Sequence, residues 1–245
     1  VRKHIKKTPD GIIFTEFHPD VSWAGKYNAI SCAAGHHIRE ARWLKDSSYV
    51  DDYINFWYKG CEVKDRQLYS QWIGSAIYDK CMLSGDYSIV EELLPYMVAD
   101  YEKWEENNQH QSGLFFSVDD ADGMEFSISG NGLRATLNSY MIAYGQTISS
   151  VASRIGDENL EKIYSEKAAV LKKLMQEKII EAKTQGDSVG GVLETAIAGI
   201  PAGVGEPWFD TVEGMLSHMI FSIPAVKGIE FGAGFSISDM KGSEA

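Results

Sequence analysis

Apolar residues in the first two thirds of the chain recur at the spacing of helix faces. Residues three and four positions apart lie on one face of an α-helix, so each stripe predicts an amphipathic helix. The stripes are Tyr53, Ile54, Trp57 and Tyr58; Trp72, Ile73, Ile77 and Tyr78; Leu93, Leu94, Met97, Val98, Tyr101 and Trp104; and Leu160, Ile163, Tyr164, Leu171, Leu174 and Met175. Short turns containing Gly or Asp separate them, which predicts antiparallel helix hairpins.

Two polar patterns mark the expected helix starts. Ser88 followed by Glu91 has the form of a capping box, and Asp157 is a good N-cap for the last stripe. Between residues 112 and 132 the helical period stops, which predicts a long loop with short strands. Long loops inside compact domains often carry function.

The composition changes near residue 179. All tyrosines, arginines and cysteines lie before it, whereas 11 of the 23 glycines follow it. Residues 190–200 and 226–235 have the β-branched, Gly-bounded pattern of strands, and residues 207–223 carry a helical stripe between them. We therefore predict two pieces: a helical piece over residues 1–178 and a β-α-β segment of an α+β domain over residues 179–245.

Charge narrows the class of partner. The 245 residues contain 23 Lys and Arg against 35 Asp and Glu, for a net charge of -12. This argues against nucleic acid and anionic membranes and favours a small-molecule partner. No apolar run is long enough for a membrane span, and no signal-peptide pattern is present, so a cytoplasmic location is the default expectation. The start without Met predicts a fragment.

Metal and disulfide sites are not predicted. The three cysteines are widely spaced without a CxxC pair. The acidic loop from Asp119 to Glu125 suggests calcium, but Val118 and Ser129 occupy the positions where a twelve-residue calcium loop needs its first and last carboxylates. Carboxylates beside aromatic residues also suit glycoside hydrolysis. The same loop also fits a merely solvated acidic surface.

The helical piece resembles a known enzyme family. The motifs GHHIREARWLKD, YINFWY, YSQWIGSAIYD, DYEKWE and DGMEFSISGNGLRATLNSYM are similar to those of the helical-toroid glycoside hydrolases related to processing α-glucosidase, mannosylglycerate hydrolase and trehalase. The resemblance covers about residues 10–178. It implies an (α/α)6 toroid that hydrolyses α-linked saccharides with inversion and needs no cofactor.

The same resemblance assigns roles to residues. Glu125 matches the general acid, and Asp122, with Asp120, is expected to shape its loop. Five further residues match positions that line the sugar pocket: Arg39, Glu40, Trp43, Tyr69 and Trp72. The alternative is that Trp43 and Trp72 are core residues and that Arg39 and Glu40 form a surface pair.

The toroid is expected to be incomplete. The sequence has three or four hairpins where six are needed, and the family's general base lies much later in the chain than Glu125. We therefore expect an inactive fragment that self-associates through exposed apolar faces.

The last 67 residues resemble a different enzyme. The motifs GDSVGG, PAGVGEP, SIPAVKGIEFG and GSEA are similar to an internal stretch of chorismate synthase. That family uses FMN to eliminate phosphate from 5-enolpyruvylshikimate 3-phosphate. The resemblance places Pro224 and Ala225 at the FMN contact. Most of the flavin site is missing, so we expect no tight FMN binding.

Three functions remain open at this point. The first is a glycoside hydrolase fragment, the second a chorismate synthase fragment, and the third a helical carbohydrate-binding module without chemistry. The predicted fold is mainly α: an incomplete (α/α)6 toroid followed by a short β-α-β segment.

Overall fold

A computed structural model of the chain describes residues 4–16, 25–118, 122, 131–186, 195, 197, 201, 203–206, 208–224 and 226–232. It divides the chain into two compact units, Val1–Val192 and Leu193–Ala245. The first is called the helical unit and the second the C-terminal unit. The predicted division at residue 178 stays a prediction, and one unbroken helix spans that position.

The described chain is mainly α, as predicted. Its helices, in chain order, are α1 Ser31–Ala41, α2 Ser48–Asn55, α3 Val63–Arg66, α4 Ile73–Ser84, α5 Ser88–Asn108, α6 Ala135–Ile155, α7 Glu158–Thr184 and α8 Val212–Ile220. A wide turn at Phe56–Gly60 continues α2, and a short 3₁₀ turn at Lys26–Asn28 precedes α1. The strands are β1 Ile5–Thr8, β2 Gly11–Phe14, β3 Phe116–Ser117 and β4 Gly132–Leu133.

Six of the described helices of the first unit form three antiparallel hairpins. In the pair of α4 and α5, Tyr78 meets Tyr87 at the connecting turn, with ring centroids 5.7 Å apart. In the pair of α6 and α7, the hydroxyl of Ser149 donates to the carbonyl of Glu161 at 3.0 Å. In the pair of α1 and α2, His37 Nδ1 of α1 lies 3.3 Å from the Tyr53 hydroxyl of α2.

The first helices of the three hairpins run parallel to one another. Gly35 of α1 lies against Trp72 at the start of α4, and Arg42 at the end of α1 lies 3.7 Å from Asp79, further along α4. Since α5 runs antiparallel to both α4 and α6, α4 and α6 also share a direction. The second helices of the hairpins run in the opposite direction. Two of them contact each other, since Lys167 of α7 forms an ion pair with Glu105 of α5 at 2.6 Å.

A β-hairpin covers α2. Strands β1 and β2 pair antiparallel, with Ile5 opposite Phe14 and Thr8 opposite Gly11. The amide of Ile12 donates to Asp52 Oδ2 at 2.9 Å. Gly11 has φ +98°, and a Cβ there would lie 2.6 Å from the Asp52 side chain, so the turn requires glycine.

The predicted stripes form most of the core, although Ile163 of the last stripe is 39% exposed. Tyr53, Ile54, Ile73, Ile77 and Leu93 have no exposed surface. Burial of such side chains stabilises the fold by about 1.5–3 kcal/mol each.

One predicted helix cap is confirmed and one is wrong. The Asp157 side chain accepts from the amide of Leu160 at 2.9 Å. Ser88 is the first residue of α5 and makes no cap. Asp86 lies two residues earlier, and its carboxylate accepts from the Ser88 amide instead.

A buried polar network joins three helices of this unit. Asp100 of α5 accepts from Arg66 Nε at 2.8 Å, from Gln67 Nε2 at 2.9 Å and from the Tyr144 hydroxyl at 3.2 Å. Tyr144 in turn lies 3.0 Å from the Tyr58 hydroxyl. Arg66 and Asp100 are almost fully buried, so each charge depends on the other. The network fixes the segment between α3 and α4 to α5.

The C-terminal unit has one described helix and no described core. Thr211 caps α8 by accepting from the amide of Gly214 at 3.1 Å, and no residue of α8 is buried. The predicted strand at 190–200 falls mostly outside the described residues. The strand predicted at 226–235 is wrong for residues 226–232, which have no regular structure. A strand needs a hydrogen-bonded neighbour, and no described strand pairs with this segment.

Candidate functional site

The parallel direction of α1, α4 and α6 brings three chain segments to one end of the helical unit. The segment before α1, the segment from residue 67 to 72 and the segment from residue 109 to 134 all lead into the starts of these helices. The starts of α1, α4 and α6 therefore lie at the same end of the helical unit, which we call the entry end.

Asp122 lies in the segment that leads into α6. It is 2% exposed, and its Oδ1 has no hydrogen-bond partner among the described residues. A buried carboxylate oxygen without a partner is costly, and proteins usually keep one only where water or a ligand completes it. Asp122 is therefore the strongest ligand-binding candidate in this segment.

Two serine hydroxyls share this property, and sequence reasoning missed both. Ser31 begins α1, and Ser70 lies just before α4; each is 1% exposed, and neither Oγ has a hydrogen-bond partner within the described chain. Both belong to the entry end. The sequence showed only that each serine lies at or just before the start of a helix. Serine is common there because it caps helices, so this position does not indicate a ligand site.

Trp72 and Arg39 are brought together. Arg39 lies over the Trp72 ring, with its guanidinium carbon 5.6 Å from the ring centroid, and the His36 ring meets the same indole edge-on at 5.0 Å. Gly35 makes this packing possible, since a Cβ there would lie 2.7 Å from the indole. Arg39 also pairs with Asp79 at 3.5 Å. Trp72 is partly buried.

The other predicted pocket residues are more scattered. Glu40 is the exposed neighbour of Arg39 in the last turn of α1, and Trp43, just after this helix, is 66% exposed with Arg42 stacked on its ring. Tyr69 lies in the 67–72 segment and is partly buried. Glu125 and Ala225 lie outside the described residues, and Pro224 is exposed just after α8.

A second titratable cluster lies between the β-hairpin and α1. His37 Nε2 is 3.8 Å from Glu16 Oε1, and its Nδ1 lies 3.3 Å from the Tyr53 hydroxyl. Burial, with smaller contributions from His36 and His4, lowers the pKa of His37 to about 4. Burial raises the pKa of Glu16 above its ordinary value. The two groups therefore favour their neutral forms.

Comparison with known proteins identifies the helical unit. Residues 26–186 match the family of the mannosylglycerate hydrolase MGH1-like glycoside hydrolase domain. The chain belongs to this glycoside hydrolase family. A solved structure of a sialidase is also similar, with a TM-score of 0.69 and 37% identity over 75% of this chain and 18% of the sialidase chain. The resemblance predicted for the helical piece is confirmed.

The C-terminal part is similar to a second family. Residues 128–245 match the chorismate synthase family, so the two matches overlap between residues 128 and 186. Chorismate synthase of Chitinophaga pinensis is 60% identical over 58 residues, which are 24% of this chain and 18% of that protein. The enzyme of Methanosarcina acetivorans is 53% identical over 70 residues, 29% of this chain and 19% of that protein. The chain thus spans about a fifth of the curated relatives it matches.

Two further findings concern metal ions and membranes. Among the described residues, no group of three or more His, Cys, Asp or Glu side chains is arranged to hold a metal ion. No helix in the described part of the chain is long and apolar enough to cross a membrane.

Proposed function

We propose that the glycoside hydrolase domain binds an α-linked saccharide at the entry end, with Glu125 as the general acid. The observation that carries this proposal is the buried carboxylate of Asp122, three residues before Glu125, with an oxygen that needs a hydrogen-bond donor. A sugar hydroxyl is such a donor. Trp72 supplies an apolar face for a pyranose ring, and Arg39 beside it supplies donors.

The proposed chemistry is hydrolysis with inversion, which needs two carboxyl groups about 6.5–9.5 Å apart. One protonates the leaving oxygen and the other activates a water on the opposite side of the sugar. Asp119, Asp120 and Asp122 share a loop with Glu125, so we place them on the same side as the acid. General acid catalysis alone contributes roughly 10²–10⁴-fold. We therefore propose that the chain binds saccharide but turns it over slowly or not at all.

The experiment measures binding and turnover separately. Calorimetric titration of the full chain with maltose and with α-mannobiose should give saturable binding, which Asp122→Asn weakens about tenfold by removing one charged acceptor. Glu166→Gln is the matched control, because Glu166 is an exposed carboxylate on α7 with no proposed role in binding, and it should bind like the unsubstituted chain.

The turnover arm distinguishes the catalytic and non-catalytic proposals. Any slow release of reducing sugar should disappear in Glu125→Gln while binding persists. Binding without turnover in every variant would make the domain a carbohydrate-binding module. Absence of saccharide binding in the unsubstituted chain would refute the proposal.

We also propose that the C-terminal unit derives from a chorismate synthase but does not hold FMN. The identity to that family is high, and FMN is the cofactor the family implies. The described residues do not form a cradle for a flavin, because Pro224 is exposed and α8 buries no side chain. Titration of FMN with the full chain should show no saturable fluorescence quenching. A submicromolar dissociation constant would overturn this proposal.

A further inference from the structure

A cavity lies in the helical unit between the segment that follows α2 and one side of α5. Its volume is about 410 Å³, within the range of about 300–1,000 Å³ that small-ligand sites occupy. Its lining includes Tyr58, Arg66, Tyr96, Glu102, Lys103 and Glu106. None of these residues belongs to the entry end, so the cavity is separate from the proposed saccharide site.

The floor of the cavity carries hydrogen-bond donors. Arg66 is 3% exposed and is held rigidly, because its Nε donates to Asp100 and one Nη donates to the Trp57 carbonyl. A guanidinium has five N–H groups, so these two bonds leave further donors on a fixed group that lines the cavity. Because folding already orders this side chain, ligand binding does not carry the entropic cost of ordering it, and this favours affinity.

The rim supplies the complementary groups. Tyr96 is 45% exposed, and Lys59 lies 5.9 Å from its ring centroid. Glu106 is paired with Lys103 at 2.5 Å, whereas Glu102 lies on the rim as an exposed carboxylate that can accept hydrogen bonds. An aromatic face, rigid donors and carboxylate acceptors together match the alternating apolar and hydroxyl surfaces of a sugar.

Charge decides among ligand classes. The lining contains the cations Arg66 and Lys103 and the anions Asp100, Glu102 and Glu106, which sum to a net charge of -1. This disfavours phosphorylated or carboxylated ligands. The neighbouring thiol of Cys61 has a pKa raised to about 12 by burial, so it is neutral and unreactive at physiological pH.

We propose that this cavity is a second saccharide site, which binds a neutral mono- or disaccharide and is independent of the entry end. Because it shares no lining residue with the entry end, it can hold a sugar while the entry end holds another. Two sites on one chain raise the apparent affinity for a polymeric or multiply branched glycan.

The test uses the full chain with Asp122→Asn, which weakens binding at the entry end. This variant is titrated with methyl α-D-glucoside and with maltose, and binding is followed by the NMR chemical shifts of backbone amides. The shifts of Ala99 and Val63 should saturate with a dissociation constant of order 1 mM. Tyr96→Ala should weaken this binding about tenfold, which corresponds to about 1.4 kcal/mol. Tyr49→Ala removes a comparably exposed tyrosine outside the cavity and should change nothing.

Three results would overturn the proposal. The first is the absence of saturable shifts at Ala99 and Val63 up to ~50 mM sugar, far above a millimolar dissociation constant. The second is an equal response of Tyr96→Ala and Tyr49→Ala. The third is tighter binding of glucose 6-phosphate than of glucose, which would assign the cavity to an anion. Because Asp122 is already substituted, failure here leaves the proposal for the entry end standing.

Discussion

The two units of the chain use the same kind of amphipathic helix with opposite results. In α5 of the helical unit, Leu93 and Met97 are completely buried against neighbouring helices. In the C-terminal unit, α8 has a comparable apolar stripe whose residues are at most half-buried, and Trp208 and Phe209 just before it are 87% and 91% exposed. Local signals such as the Thr211 cap are sufficient to start a helix, but only packing partners turn its apolar face into a core.

The family matches fit this contrast. The glycoside hydrolase match covers three hairpins whose helices pack on one another, so a large core forms within the described residues. The chorismate synthase relatives are matched over about a fifth of their length. Within the described residues, the apolar side chains of α8 have few packing partners. The predicted self-association through exposed apolar faces stays a prediction.

The largest expected effect comes from breaking the buried network of the helical unit. Asp100→Ala leaves Arg66 buried without its carboxylate and should lower the free energy of unfolding by about 3–5 kcal/mol. Asp210→Ala, an exposed site in the C-terminal unit, should change it by less than about 0.5 kcal/mol. Urea unfolding followed by circular dichroism measures both. Equal effects of the two substitutions would contradict the contrast between the units.

The next effect comes from adding one methyl group at matched glycines. A Cβ at Gly74 would lie 2.5 Å from the Tyr144 ring, whereas a Cβ at Gly228 meets nothing within 4 Å. Gly74→Ala should cost about 1–3 kcal/mol through overpacking, despite the better helix propensity of Ala. Gly228→Ala should be neutral. Thermal melts of both variants provide the measurement, and a stabilised Gly74→Ala would show that α4 and α6 are not closely packed.

The sequence predicted the helical unit better than the C-terminal unit for a physical reason. The periodic stripes through Tyr53, Ile77 and Leu93 predicted helices whose faces are indeed buried. The strand predicted at residues 226–235 depended on a hydrogen-bonded neighbour, which no local pattern supplies.

The site was predictable only in part. Motif resemblance singled out Asp122, Trp72 and Arg39, and the structure shows Asp122 buried and the other two in contact. It did not reveal that Trp43 is 66% exposed, because exposure depends on tertiary packing that no local motif encodes. Ser31 and Ser70 were missed, since a serine near a helix start is ordinary in sequence.

A smaller effect is expected from the two helix caps. Asp157→Ala removes the acceptor for the Leu160 amide at the start of α7 and should lower the free energy of unfolding by about 1 kcal/mol. Thr211→Ala removes the corresponding bond in α8 but should leave the main unfolding transition unchanged, because α8 is not part of that core. A main transition that shifts equally in both variants would show that the units unfold together.

The smallest net effect concerns pH. His37 has a folded-state pKa lowered to about 4, so its contribution to stability is present above about pH 6.5 and is lost as the pH falls towards 4. The raised pKa of Glu16 acts in the opposite direction, since protonation then favours the folded state. The two slopes partly cancel.

Single substitutions should separate these slopes. Glu16→Gln should make the loss of stability between pH 6.5 and pH 4 steeper, and His37→Gln should make it shallower. Urea midpoints measured across this range provide the test. Identical pH profiles for both variants and the unsubstituted chain would show that neither group is perturbed by burial.

Hydrogen exchange of the intact chain, read by mass spectrometry on peptides from each helix, tests the central contrast most directly. Amides of α4, α5 and α6 should exchange only through global unfolding and so share one high protection factor, while amides of α8 should exchange with little protection. Protection of α8 equal to that of α5 would contradict the account, because it would mean that the C-terminal helix is packed in a core of its own.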